Sequence, residues 1–221
     1  MNYVINYLIY RLKSVNEHGV HSPFVFDLLL GTIYNRKAYY SYKNIENIRK
    51  ELLLSKQTVN CIDLGAGSRI LNNASRSISE IANVSAKPSK YAQLLFEGCE
   101  EIAAVAKGNF KKLKLENIRQ VIGGFDEVLP DVLKKIEQLD LVFFDGNHRK
   151  IPTLNYFQQC LEKAVESSVF IFDDIYWSEE MKAAWQEIKN NERVTVTVDL
   201  FHFGIVFFRK EQVKEHFIIR F

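Results

Sequence analysis

The chain has 221 residues, 47% hydrophobic and 25% charged, which is enough to bury one α/β domain with an accessory segment but not two full domains. A net charge of +2 and a pI near 8.3 leave no basic footprint of the kind nucleic acid demands. The three cysteines, Cys61, Cys99 and Cys160, are odd in number and lack CxxC spacing, so they signal neither a disulfide framework nor a zinc site and fit a reducing cytoplasm.

At the start, NYVINYLIYRL (2–12) predicts an aromatic-rich helix, far short of the roughly 20 apolar residues of a bilayer span and without the basic stretch that opens a secretory signal. After a turn at 18–22 a second helix is expected, with Ser22 as N-cap and Pro23 at the first helical position. His18 and His21 flank that turn, where histidines cap or pack more often than they bind metal. Residues 1–57 read as a helical cap and 58–221 as the main domain. An exposed aromatic helix in the cap would suit a homodimer.

KNIENIRKELLL (43–54) reads as helix, and TVNCIDLGAGS (58–68) as a strand entering a glycine loop. Residues 78–113 are helical in pattern, with breaks near Pro88 and Gly98, and KKLK (111–114) is a solvated helix end. VIGG (121–124) is followed by the helix DEVLPDVLKKIE (126–137), with Asp126 as a possible N-cap after a strand end.

Two apolar runs then end in carboxylates: LDLVFFDGNH (139–148) and SVFIFDDIYW (168–177). Unbroken apolar runs suit strands covered on both faces, whereas a half-exposed strand alternates. Between them, residues 150–166 place Leu154, Phe157, Leu161 and Ala164 at helical spacing, with Pro152 tolerable in the first turn. A right-handed crossover puts both strands in one sheet with their carboxyl ends on the same side. Asp145, Asp173 and Asp174 should therefore meet at one edge, and if the strands are neighbours, ~4.8 Å apart, the three acids come within reach of one cation. The plainer alternative is that Asp is a common residue at strand ends and helix caps. A helix is expected from Ser178, with Glu179 and Glu180 at its positive start. VTVTVDLF (194–201) alternates with period two, and HFGIVFFRK (202–210) returns as its antiparallel partner.

From about residue 97 onward the chain resembles the class I S-adenosylmethionine-dependent methyltransferases, and among them the metal-dependent O-methyltransferases of the catechol type. In that family one strand ends in a metal-binding acid, a basic residue three positions later is the general base, and the next strand ends in Asp-Asn or a similar pair. Asp145, His148, Asp173 and Asp174 fall on those positions, with His148 where lysine is usual and Asp174 where asparagine is usual. The resemblance implies an α/β, Rossmann-like sheet, mostly parallel with an antiparallel C-terminal hairpin. It also implies S-adenosylmethionine as cofactor, Mg2+ or another divalent cation held by Asp145, Asp173 and Asp174, and a small-molecule acceptor whose proton His148 takes. Glu97 would face the cofactor ribose, Gly124, Phe125 and Asp126 would lie near its adenine, and Asp145 would join the cofactor and metal regions.

The cofactor loop has two parses. In one, DLGAGS (63–68), with Gly65 and Gly67, cradles the methionine end of the cofactor. Glu97 then follows Gly67 by 30 residues, further than the ~20 typical of such folds, with no strand before it. In the other, the whole chain resembles a bacterial subfamily. There a NEHGVHSPFVF-like N-terminus, a GAGS segment and a KYAQLLF-like helix precede a separate strand with its own glycine loop, and then a strand ending in EGC. Here Phe96 runs directly into Glu97, so on this parse the chain lacks one or two strands, and a noncatalytic scaffold becomes the alternative to an enzyme.

Overall fold

The computed structural model describes residues 3–37, 40–60, 75–85 and 100–221. In chain order the helices are α1 (Tyr3–Lys13), α2 (Pro23–Leu28), α3 (Tyr40–Leu54), α4 (Ile78–Ser85), α5 (Glu100–Lys112), α6 (Phe125–Leu133), α7 (Lys150–Leu161) and α8 (Glu179–Asn190). The strands are β1 (Thr58–Asn60), β2 (Ser75–Ser77), β3 (Leu139–Phe144), β4 (Ala164–Asp173), β5 (Val196–Asp199), β6 (Phe203–Phe207) and β7 (Glu215–Ile218). The chain divides into two compact units, 1–36 with 129–221 and 37–128, and one division falls within α6.

The first unit is built on a five-stranded sheet of order β3-β4-β6-β5-β7. β3 and β4 are parallel neighbours joined through α7, as the apolar runs and their spacing predict. β5 and β6 form the expected antiparallel hairpin, and β6 inserts between β4 and β5. β7 then runs parallel to β5. On one face Phe170 and Phe172, 0% and 1% exposed, pack with Phe157 and Leu161 of α7 and with Trp185 and Ile188 of α8. The other face buries Val196, Val198 and Phe207 under Val25 of α2 and Leu29 beyond it. Both faces are thus covered, which is why the LVFF and VFIF runs of β3 and β4 are apolar without alternation.

Local signals place the helix starts. Ser22 Oγ accepts the Val25 N–H with Pro23 at the first position, and Ser178 Oγ accepts the Met181 N–H at 3.1 Å ahead of Glu179 and Glu180. Two expectations need correction, and one feature was not anticipated. α7 stops at Leu161 instead of running to 166, because the Arg193 guanidinium donates to the carbonyls of Leu161 and Ala164 and so caps the helix while pinning the start of β4. α6 starts at Phe125 and ends at Leu133, so Asp126 sits inside the first turn and Gly124 precedes the helix. β7 and the bridge between Val15 and Ile219 have no counterpart in the sequence reading.

Of the tyrosines of α1 only Tyr10 is buried, while Tyr3 and Tyr7 remain exposed. Tyr3 and Tyr7 meet the Phe201 ring edge-on at 5.0 Å, and Tyr10, 3% exposed, donates its hydroxyl to the Ile219 carbonyl. Burial pushes the Tyr10 phenol up to about 12. The aliphatic residues Val4, Ile5, Leu8 and Leu12 are exposed as well. His18 is paired with Glu17 at 3.6 Å, and the capping side chain of that turn is Asn16.

In the second unit β1 pairs antiparallel with β2, and α3 packs with α4. Ser77 and Glu80 form a reciprocal capping box at the start of α4: the Glu80 N–H donates to Ser77 Oγ and Glu80 Oε2 accepts the Ser77 N–H. No helix among the described residues is long and apolar enough to cross a membrane.

Candidate functional site

The carboxyl ends of β3 and β4 lie side by side. Phe144 opposes Phe172 in the register, and their rings stack at 4.4 Å with 3° between planes. Asp145 follows β3 directly, and Asp173 is the last residue of β4. β6 enters and β5 leaves at the same edge, since Asp173 pairs with Phe203 and Asp199 with Gly204.

After β3 the chain makes a γ-turn. Asn147 has φ 64° and the His148 N–H donates to the Gly146 carbonyl at 2.8 Å. His148 itself has φ 43° and Asp174 has φ 51°. Left-handed backbone at non-glycine residues costs energy and tends to collect where function needs a particular geometry; here Asn147, His148 and Asp174 share one edge with Phe201, whose φ is 69°.

The turn carries His148 back over the strand end. Its Nε2 lies 3.5 Å from Asp145 Oδ1, and its ring centroid is 6.3 Å from that of Trp177. Burial works against a charged imidazole, but the bond to Asp145 and the charges of Asp174, Asp145 and Asp173 outweigh it and hold His148 above its ordinary value of 6.5. Its Nδ1 and the Asn147 Oδ1 are buried with no hydrogen-bond partner in the structure. Asp173 is 2% exposed.

Asp145, His148, Asp173 and Asp174 are therefore brought together as expected. As placed, they do not form a cation cage: among the described residues no group of three or more His, Cys, Asp or Glu side chains is disposed to hold a metal ion, and Asp145 faces the imidazole. Gly124, Phe125 and Asp126 lie together at the start of α6, where the Gly124 carbonyl accepts the N–H groups of Glu127 and Val128. Gly65, Gly67 and Glu97 lie outside the described residues.

Four residues at this edge escaped the sequence reading: Asn147, Trp177, Tyr176 and Asp199. Tyr176 Oη donates to Asp199 Oδ2 at 2.7 Å, and burial pushes the Asp199 carboxyl above its ordinary value, opposed by that bond and by the N–H of Phe201. The WSEE run draws attention to Ser178 as a cap, but nothing local marks Trp177 as a neighbour of His148, because that proximity arises from the β3–β4 pairing.

A family model described as a methyltransferase domain matches residues 54–175, more than half of the chain. The chain belongs to this methyltransferase family. The matched span includes Asp145, His148, Asp173 and Asp174 and stops just before Tyr176 and Trp177. No curated protein matches the chain in sequence. Among solved structures, it is similar to an SAH-bound methyltransferase of Podospora anserina, with 12% identity and TM-score 0.42 over 51% of this chain and 58% of that one. It is also similar to an O-methyltransferase of Bacillus cereus in complex with SAH, with 17% identity and TM-score 0.39 over 49% of this chain and 59% of that one. For a candidate O-methyltransferase of Klebsiella pneumoniae the identity is 16% and the TM-score 0.43, over 93% of this chain and 96% of that one.

Proposed function

We propose that this methyltransferase uses S-adenosylmethionine to methylate a hydroxyl group of a small-molecule acceptor, with His148 as general base and Asp145 orienting it. The observation that carries the reading is the His148–Asp145 pair at 3.5 Å, at the shared carboxyl edge of two parallel strands inside the family segment. With Nε2–H directed at Asp145, the neutral imidazole presents Nδ1, which has no other partner, as the proton acceptor.

The reaction balances simply. The acceptor oxygen forms a bond to the methyl carbon as the carbon–sulfur bond breaks, its electron pair stays on sulfur, and the hydroxyl proton passes to His148. A neutral hydroxyl is a poor nucleophile until that proton leaves, so a base near the acceptor is the main chemical requirement. The resulting imidazolium is stabilised by the same carboxylates that raise its pKa. Asp173 and Asp174 add negative charge beside it and give an approaching sulfonium a favourable field.

For cofactor binding we assign Gly124, Phe125 and Asp126 to the adenine end and Asp145 to the boundary with the acceptor, with Glu97, Gly65 and Gly67 as the remaining candidates. Asp145, Asp173 and Asp174 are not disposed as a metal-holding group among the described residues, and no step is routed through a divalent cation. The exposed aliphatic stripe of α1 (Val4, Ile5, Leu8, Leu12) is the surface we assign to self-association, tested by sedimentation of the Leu8→Glu variant.

The deciding experiment titrates S-adenosylmethionine by calorimetry and then supplies a panel of phenolic, catecholic and sugar hydroxyls. Heat of binding followed by formation of methylated product and S-adenosylhomocysteine supports the enzyme. No heat at millimolar cofactor supports the noncatalytic scaffold instead.

A further inference from the structure

A second polar assembly stands beside His148 on the same edge. Asp199, at the end of β5, is a carboxylate only 4% exposed. Its Oδ2 accepts the Tyr176 hydroxyl at 2.7 Å and its Oδ1 accepts the Phe201 N–H at 2.8 Å. The Tyr176 ring lies nearly flat on Phe201, 5.0 Å between centroids with 14° between planes. Phe201, at φ 69°, sits in a γ-turn closed by the His202 N–H on the Leu200 carbonyl at 2.9 Å. The His202 carbonyl then accepts the Asp174 N–H at 2.7 Å.

The turn that follows β4 is thus tied twice to the tip of the β5–β6 hairpin. Its side chains go three separate ways. Ile175 is 0% exposed in the core, Tyr176 reaches Asp199, and Trp177 closes the turn through its N–H on the Asp174 carbonyl at 2.8 Å while its ring lies beside His148. An apolar pair would hold the hairpin against the turn without desolvating a carboxylate. What the acid adds is direction: a hydrogen bond to one phenol oxygen fixes the turn to within tenths of an ångström, and packing alone does not.

We propose that Asp199 and Tyr176 are positioning residues for methyl transfer, their hydrogen bond locking the 174–177 turn so that Asp174 and Trp177 stay set around His148. This rests on the assignment of His148 as base. Tyr176 and Asp199 act through the turn and are not themselves assigned contact with the reacting atoms.

The test uses the full chain labelled with 5-fluorotryptophan, with the Trp177 19F line assigned by its loss in Trp177→Phe. Tyr176→Phe keeps the ring stack and removes only the hydroxyl. It is expected to keep the far-UV circular dichroism of the wild type, to shift or broaden the Trp177 line, and to lower kcat at least tenfold while KM for S-adenosylmethionine stays within twofold. An unmoved Trp177 line, or a kcat within twofold of the wild type, overturns the proposal. If the wild type transfers methyl to no compound of the hydroxyl panel, the assignment of His148 fails on its own, and the Trp177 line alone decides for or against the brace. Should Tyr176→Phe not fold, Asp199→Asn is compared with Asp199→Ala. The amide retains the bond from the Phe201 N–H and can donate to the phenol oxygen, so a wild-type line in Asp199→Asn with a displaced one in Asp199→Ala supports the brace. The same line position in both overturns it.

Discussion

Asp145→Asn isolates the charge that faces His148 while keeping the side-chain shape. At 3.5 Å a full charge pair is worth about 1 kcal/mol if the surroundings behave as water and about 5 kcal/mol at an effective dielectric constant near 20. Both side chains are 23% exposed, so the effect lies between these limits. The sign follows from protonation. His148 is raised above 6.5, so it is charged and unable to accept a proton at low pH, and turnover should climb with pH through that raised value before levelling. Removing the Asp145 charge takes away one of the attractions that raise the pKa and leaves Asp174 and Asp173 alone against burial, so the ascending limb should move to lower pH. His148→Gln should flatten the limb and reduce turnover on the order of 10²- to 10⁴-fold. The assay is the pH profile of kcat, read from S-adenosylhomocysteine release for wild type and both variants. A limb that stays in place in Asp145→Asn, or that survives in His148→Gln, refutes the pairing as the source of the base.

The same raised pKa has a counterpart in stability. His148 contributes stability that is full below its unfolded value and is lost as pH rises through the raised folded one, so chemical denaturation of His148→Gln and wild type should converge toward alkaline pH. Gly204 opposes Phe172, and a Cβ there would lie 2.6 Å from the Trp185 ring, so Gly204→Ala should cost about 1–3 kcal/mol in urea unfolding; an unchanged midpoint would show that the ring can retreat. Arg193→Ala frees the carbonyls of Leu161 and Ala164 and should cost about 1–3 kcal/mol, measured the same way.

The parts legible in the sequence are those written locally. LVFF and VFIF announce strands covered on both faces, Ser22-Pro23 and Ser178-Glu179-Glu180 announce helix starts, and the 28-residue interval from Asp145 to Asp173 announces a crossover that brings the acids together. The parts that stayed hidden depend on partners distant in the chain. EHFI is short and carries a Glu and a His, so β7 shows no strand pattern of its own and forms only because β5 offers an edge. The end of α7 is decided by Arg193, far downstream, against a helical pattern that continues to Ala164. Asp199 reads as one polar residue in an alternating strand; its burial follows from Tyr176 and Phe201 closing over it.

The insertion of β6 between β4 and β5 also bears on how the molecule is made. Residues 1–36 are synthesised well before residues 129–221, yet Val15 must wait for Ile219 and Tyr3 for Phe201 before either finds its neighbour. The middle of the sheet cannot close until the hairpin has been synthesised. Loop closure on that scale is slow, so the nascent chain should hold its apolar N-terminal helices uncovered through most of translation, a long interval in which chaperones have something to grip.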